Sequence, residues 1–141
     1  MKPCIVLICL VFLAGANPLQ SAEPTQATGR QTKMVEGWTL LISDELLEQD
    51  KAATERALEL LTVQLQEIVR VVPVAAVVEL RKVPLWFSPE YPKVQPRAEY
   101  HPGAGWLRDN KRDPAMEKAV EFSNARIFER DASRGPPVDP R

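Results

Sequence analysis

Six positions spaced four, three, four, three and four residues apart, Thr54, Leu58, Leu61, Leu65, Ile68 and Val72, constrain this chain more than any other feature. At 3.6 residues per turn they fall along one helix face. Glu48, Lys51, Glu55, Arg56, Glu59, Gln66, Glu67 and Arg70 fall on the other. The spacing predicts one amphipathic helix over residues 45–72, with Ser43 and Asp44 offering N-cap side chains. Such a stripe must be covered by a second layer. It is short for a coiled coil, so packing on the chain's own sheet is the expected outcome. Pro73 disfavours helical geometry at Val72 yet suits the first turn of a new helix, which predicts a short second helix ending near Leu80.

The sheet is read from alternation. Trp38, Leu40 and Ile42 interleave with Thr39 and Leu41, a period of two that marks a half-buried strand. Residues 83–88 contain Val83, Leu85, Trp86 and Phe87, all good strand formers, with Pro84 at the strand start. Residues 118–123 give a third strand, placing Val120 and Phe122 on one face and Glu121 on the other. Pro89, Pro92, Pro96 and Pro102 punctuate residues 88–105, which predicts mainly loop. Trp106 and Leu107 predict a short helical turn, Asp113-Pro114 another turn, and residues 124–130 a helical start with Ile127 and Phe128 as its apolar side. The expected fold is α+β, a small mixed sheet backed by one long helix, within residues 35–130.

The ends have different chemistry. Lys2 precedes an apolar run from Cys4 to Ala14, and Gly15 and Pro18 follow it, which is the layout of a secretory signal peptide over residues 1–22. The run is about half the roughly 20 residues that a membrane-spanning helix needs, so no stable membrane anchor is expected. Cleavage fits after Ala16 or after Ala22. Residues 23–34 are polar and predict a flexible leader, and residues 131–141, with Gly135, Pro136, Pro137 and Pro140, a disordered tail. A secreted or periplasmic location follows. Both cysteines, Cys4 and Cys9, lie within the signal, so the mature chain has neither disulfides nor thiolate ligands. The formal charge of -1, with acidic and basic residues interspersed, leaves no excess of positive charge to meet a phosphate backbone, so no nucleic-acid partner is expected.

Candidate chemistry is sparse. His101 is the single histidine, and zinc needs three or four ligands, so no metal-ligating, cofactor-binding or catalytic residue is assigned. Ser88 and Ser123 lack a nucleophile-elbow context. Gly103 and Gly105 lack the rest of a dinucleotide fingerprint, and the carboxylates form no recognisable acid/base pair. His101, between Tyr100 and Pro102, is read as hydrogen-bonding a backbone group that fixes its loop, with a binding role as the alternative. Trp38, Trp86 and Trp106 are read as rings that fill or cover a core.

Val83-Pro84-Leu85-Trp86, Tyr100-His101-Pro102 with Trp106-Leu107 beyond it, Asp113-Pro114, and Val120-Glu121-Phe122-Ser123-Asn124-Ala125 with Phe128 occur here in one order. In that order they resemble a family of secreted bacterial proteins of zinc metallopeptidase type. The resemblance spans residues 35–128. It implies a following helix bearing His-Glu-x-x-His, which would supply two zinc histidines and a water-activating glutamate and would pack on the same layers. This chain contains no such segment. Zinc is therefore expected only in a full-length relative, and the chain reads as a truncated, inactive member and an incomplete domain. Codons for Pro137-Val138-Asp139-Pro140 read one base later can spell Pro-Trp-Ile-Leu, which points to a frameshift. The alternative is a small exported binding or structural module with a peptide or cell-envelope partner, its contact surfaces being the long helix and the Trp/Tyr-rich loop.

Overall fold

In the computed structural model, the apolar stripe is buried against a sheet. Thr54, Leu61 and Leu65 are buried, and Leu58, Ile68 and Val72 are partly covered. The structure describes residues 29–133. The proposed signal and its cleavage points lie outside the described residues, as do the first half of the leader and the end of the tail.

In chain order the elements are β1 (Arg30–Val35), β2 (Trp38–Ser43), α1 (Asp44–Gln49), α2 (Lys51–Val71) and α3 (Val74–Leu80). Then come β3 (Leu85–Phe87), β4 (Ala98–Tyr100), α4 (Ala104–Asp109), a 3-10 turn (Pro114–Met116), β5 (Val120–Phe122) and α5 (Ile127–Ser133). The strands form one five-stranded sheet in the order β1-β2-β3-β5-β4. The β2–β3 and β3–β5 pairs are parallel, and the outer pairs β1–β2 and β4–β5 are antiparallel. The fold is α+β, a small mixed sheet backed by one long amphipathic helix.

Alternation along each strand creates two unlike faces. Leu40, Ile42, Leu85 and Phe87 join Ala57, Leu61, Leu65, Ile127 and Phe128 in the main core under α2 and α5. On the opposite face Trp86 packs with Leu107, Met116 and Ala119, and Leu41 lies against them. The second face is thus roofed by α4 and the 3-10 turn. Within that turn Asp113 caps the backbone, its side chain accepting from the amide of Ala115.

Five expectations are corrected. The helix over residues 45–72 is divided at Asp50, whose φ of -133° leaves the helical region. The Asp50 carboxylate accepts from Arg126 at 2.7 Å and the Thr54 hydroxyl donates to the Asp50 carbonyl at 2.9 Å, so local polar bonds compete with helix continuation there. Ser43 occupies the N-cap position of α1 but makes no side-chain cap bond. The supposed leader contributes β1 from Arg30 onward, paired residue for residue with β2. A two-residue turn makes that hairpin: Glu36 and Gly37 both have positive φ, 50° and 88°, as a type I′ turn requires. The Pro-rich loop contains β4, whose Tyr100 pairs with Val120. Finally, α5 carries order through Ser133, into the segment expected to be disordered.

Candidate functional site

The sheet alternation that sends Val120 and Phe122 into the main core sends Glu121 to the other face. There it is fully buried, 0% exposed, in the interior strand β5. Three donors converge on its carboxylate. Tyr91 Oη donates to Oε1 at 2.6 Å, and His101 Nε2 and Arg112 Nη1 each meet Oε2 at 2.9 Å. His101 and Arg112 are themselves buried. Arg112 also reaches Glu99 at 3.3 Å, and Arg97 holds that second carboxylate at 2.8 Å.

Aromatic rings enclose the charges. The Arg112 guanidinium lies 4.3 Å from the Tyr91 ring centroid and 4.9 Å from that of Trp106. His101 stacks on Trp106 at 5.6 Å, with 19° between the planes. On the neighbouring strands Arg30 donates to the Phe87 carbonyl at 2.9 Å and the Ser88 hydroxyl at 3.2 Å, and lies 4.5 Å from the Trp86 centroid. The Trp86 indole N–H is buried without a hydrogen-bond partner among the described residues.

The electrostatics of the cluster favour one charge pattern, an ionised Glu121 beside a protonated Tyr91. Burial is the largest influence on Glu121 and favours its neutral acid. The nearby Ser88 hydroxyl, the hydrogen bonds from Tyr91 and His101 and the charge of Arg112 outweigh burial and hold the carboxyl below its ordinary range. Tyr91 moves the other way: burial first, then its bond to Glu121 and the charge there, push the phenol up to about 12. Glu121 is therefore an anion with its oxygens occupied, and Tyr91 a donor that keeps its proton. Neither is presented to solvent as a general base or a nucleophile.

Zinc does not fit these residues. His101 has Nε2 committed to Glu121, and a guanidinium beside the same oxygen repels a cation. No group of three or more His, Cys, Asp or Glu able to hold a metal occurs among the described residues. Ser88 is buried against Arg30, and Ser123 Oγ bonds the backbone of Arg97 at 3.1 and 3.2 Å, so both serines are tied into the scaffold. A Cβ at Gly103 or Gly105 would meet open space, so neither glycine marks a close approach of backbone.

One expectation changes here. His101 bonds a carboxylate through its side chain rather than a backbone group. The tryptophans divide between the two expected roles: Trp38 and Trp86 are buried, and Trp106, 44% exposed, covers His101 and Arg112. The cluster is invisible to periodicity because its members come from separate loops and strands. The signal that could have found it is an acidic residue midway along an apolar strand, preceded by loops that carry Tyr91, Arg97, His101 and Arg112.

Above the cluster lies a small cleft of about 240 Å³ lined by Glu99, Tyr100, His101, Pro102, Gly103 and Trp106. On the other side of the sheet a larger groove of about 440 Å³ runs between α2 and the strands, with Leu65, Ile68, Leu85, Val120 and Phe122 among its walls. Comparison with family models, with curated proteins and with solved structures finds no match to this chain.

Proposed function

We infer that this chain is the non-catalytic scaffold portion of a secreted metallopeptidase-like protein, a sheet prepared to receive one further helix and lacking the zinc-binding segment. The apolar groove carries this reading. Val120 and Phe122 are only partly covered although they lie on the core face, and Tyr100 at the groove's edge is 52% exposed. The occupant is an amphipathic helix of the kind that bears His-Glu-x-x-His in the family the sequence resembles, and its apolar side completes the core. The purified chain is expected to enhance the fluorescence of a hydrophobic dye while binding zinc no better than about millimolar and showing no chelator-sensitive peptide hydrolysis. One tightly held zinc per chain, or chelator-sensitive cleavage, overturns the reading.

Export belongs to the same proposal. No helix among the described residues is long and apolar enough to cross a membrane. From a secreting host, the intact mass is expected to match a mature chain starting at Asn17 or Glu23. A product that stays in the cytoplasm with Met1 retained contradicts export.

A further inference from the structure

We propose that β1 is the contact edge of a dimer, in which two copies of this chain pair their β1 strands antiparallel about Thr32 and continue one sheet through both. This goes beyond the scaffold reading and does not depend on it. The backbone of β1 gives the first observation. The Asp44 amide donates to the Gly29 carbonyl at 3.0 Å, and this pair continues the register in which Arg30 faces Ser43. Hydrogen-bonded pairs alternate along an antiparallel ladder, so Gln31, Lys33 and Val35 direct their backbone groups to β2, while Arg30, Thr32 and Met34 point theirs away from the sheet. Their N–H and C=O groups line an edge that no strand covers among the described residues.

The two edges of the sheet are treated differently. At the far edge the Ser123 amide donates to the Arg97 carbonyl and the His101 amide to the Ala119 carbonyl, which leaves Pro96, Ala98, Tyr100 and Pro102 in the outward positions. The two prolines have no N–H to offer, and they flank β4 on either side, so a further strand finds few partners there. β1 has six residues, no proline and no bulge in its pairing with β2. Gln31, Thr32, Lys33 and Met34 are all exposed.

The side chains of β1 select a second copy as the occupant. Antiparallel pairing about Thr32 sets Thr32 against Thr32, Arg30 of one copy against Met34 of the other, and Gln31 of one copy against Lys33 of the other. Every outward N–H of the strand then meets a C=O. Opposed threonines are a favourable cross-strand pair. The Gln31 side-chain carbonyl accepts from the Lys33 ammonium, and the apolar stem of Arg30 covers Met34, which is 62% exposed in the single chain. Sliding the pairing one step toward Met34 puts Lys33 against Lys33, two like charges directly opposed. Sliding it the other way sets Lys33 against Gly29 and matches only Arg30 with Thr32 along the outward row. The strand is thus complementary to itself in one register, which is what a two-fold contact requires.

An edge pairing of this length belongs with the interfaces below about 1,200 Å² that associate weakly, so the dimer is expected to grow with concentration in sedimentation velocity. Thr32→Pro removes only an outward donor, which an edge strand tolerates. It is expected to leave the melting temperature unchanged and to weaken association about tenfold or more, because both N–H···O bonds at the axis are lost. Thr32→Cys is expected to give a disulfide-linked dimer on mild oxidation, since opposed residues of a hydrogen-bonded pair lie about 5.5 Å apart at Cα, within a disulfide's reach. Gln31→Cys and Lys33→Cys do not meet themselves in this register, and are expected to stay near the background set by Cys4 and Cys9 of the parent chain. A chain that remains monomeric up to about millimolar concentration overturns the proposal. A dimer that Thr32→Pro leaves intact overturns it too, as does equal cross-linking of the three cysteine variants.

Discussion

Glu121→Ala is expected to destabilise the protein by about 3–5 kcal/mol, the cost of leaving buried charge uncompensated when one partner of an ion pair is removed. The variant leaves Arg112 only its longer contact with Glu99, 3.3 Å, takes the side-chain partner of the buried His101, and removes the acceptor of the Tyr91 hydroxyl. A typical domain has about 5–15 kcal/mol to lose, so urea unfolding should show a large fall in midpoint. Glu121→Leu combined with Arg112→Met is expected to recover much of the loss, since an apolar replacement for both partners leaves neither charge orphaned. A Glu121→Ala variant within about 0.5 kcal/mol of the parent, as for an ordinary surface change, would show that the cluster contributes nothing. The same network sets the pH range. Because the folded carboxyl titrates below its ordinary value, near 4.3 for glutamate, its contribution is present above that value and lost as pH falls through the folded one. Tyr91, raised to about 12, contributes below the ordinary phenol value near 10 and loses that contribution as pH rises toward 12. Glu121→Gln should flatten the acid limb of a stability profile, and Tyr91→Phe the alkaline limb.

Phe87→Ala is expected to cost about 3–5 kcal/mol by a different route, through a cavity in the main core. Phe87 is fully buried in the central strand β3. Its ring meets Phe122 edge-on at 5.5 Å and Phe128 at 5.6 Å, while Phe122 and Phe128 approach to 4.9 Å. This triad fastens β3, β5 and α5 together, so truncation loosens three elements at once. Phe87→Leu keeps most of the volume and should cost less than about 1.5 kcal/mol. Val74→Ala, at a position 80% exposed, should stay within about 0.5 kcal/mol. Equal effects for Phe87→Ala and Val74→Ala in chemical denaturation would remove the triad from the account of stability.

The long helix and the strands under it were legible because burial on one face leaves a period in the sequence. Leu61 and Leu65 on α2, Leu40 and Ile42 on β2, and Val120 and Phe122 on β5 all obey one. β1 leaves none: Gln31, Thr32, Lys33 and Met34 are all exposed on an edge strand, and only the Glu36-Gly37 turn marks it. β4 is three residues long and has two exposed positions, too little for alternation to register. The charged cluster was hidden for a related reason. Glu121, Arg112 and Tyr91 look like solvated residues one by one, and only tertiary pairing makes their burial tolerable. Which of the two expected roles each tryptophan takes was not readable, since a large ring in an apolar neighbourhood suits a roof as well as a core.

The strand order has a kinetic consequence. β2 pairs in parallel with β3 through Leu40 and Leu85, and β3 with β5 through Leu85 and Val120. Each pairing closes a loop of dozens of residues, and closure entropy must be met before contacts reward it. The β1–β2 hairpin and the turns of α2 can form early because their contacts are local, but the central sheet waits for β5, among the last elements to emerge from the ribosome. Until then the stripe on α2 has no complete surface to cover it. Along the export route proposed above, that delay keeps the chain extended enough to be threaded through a translocation channel, and sheet closure becomes an event of the far side.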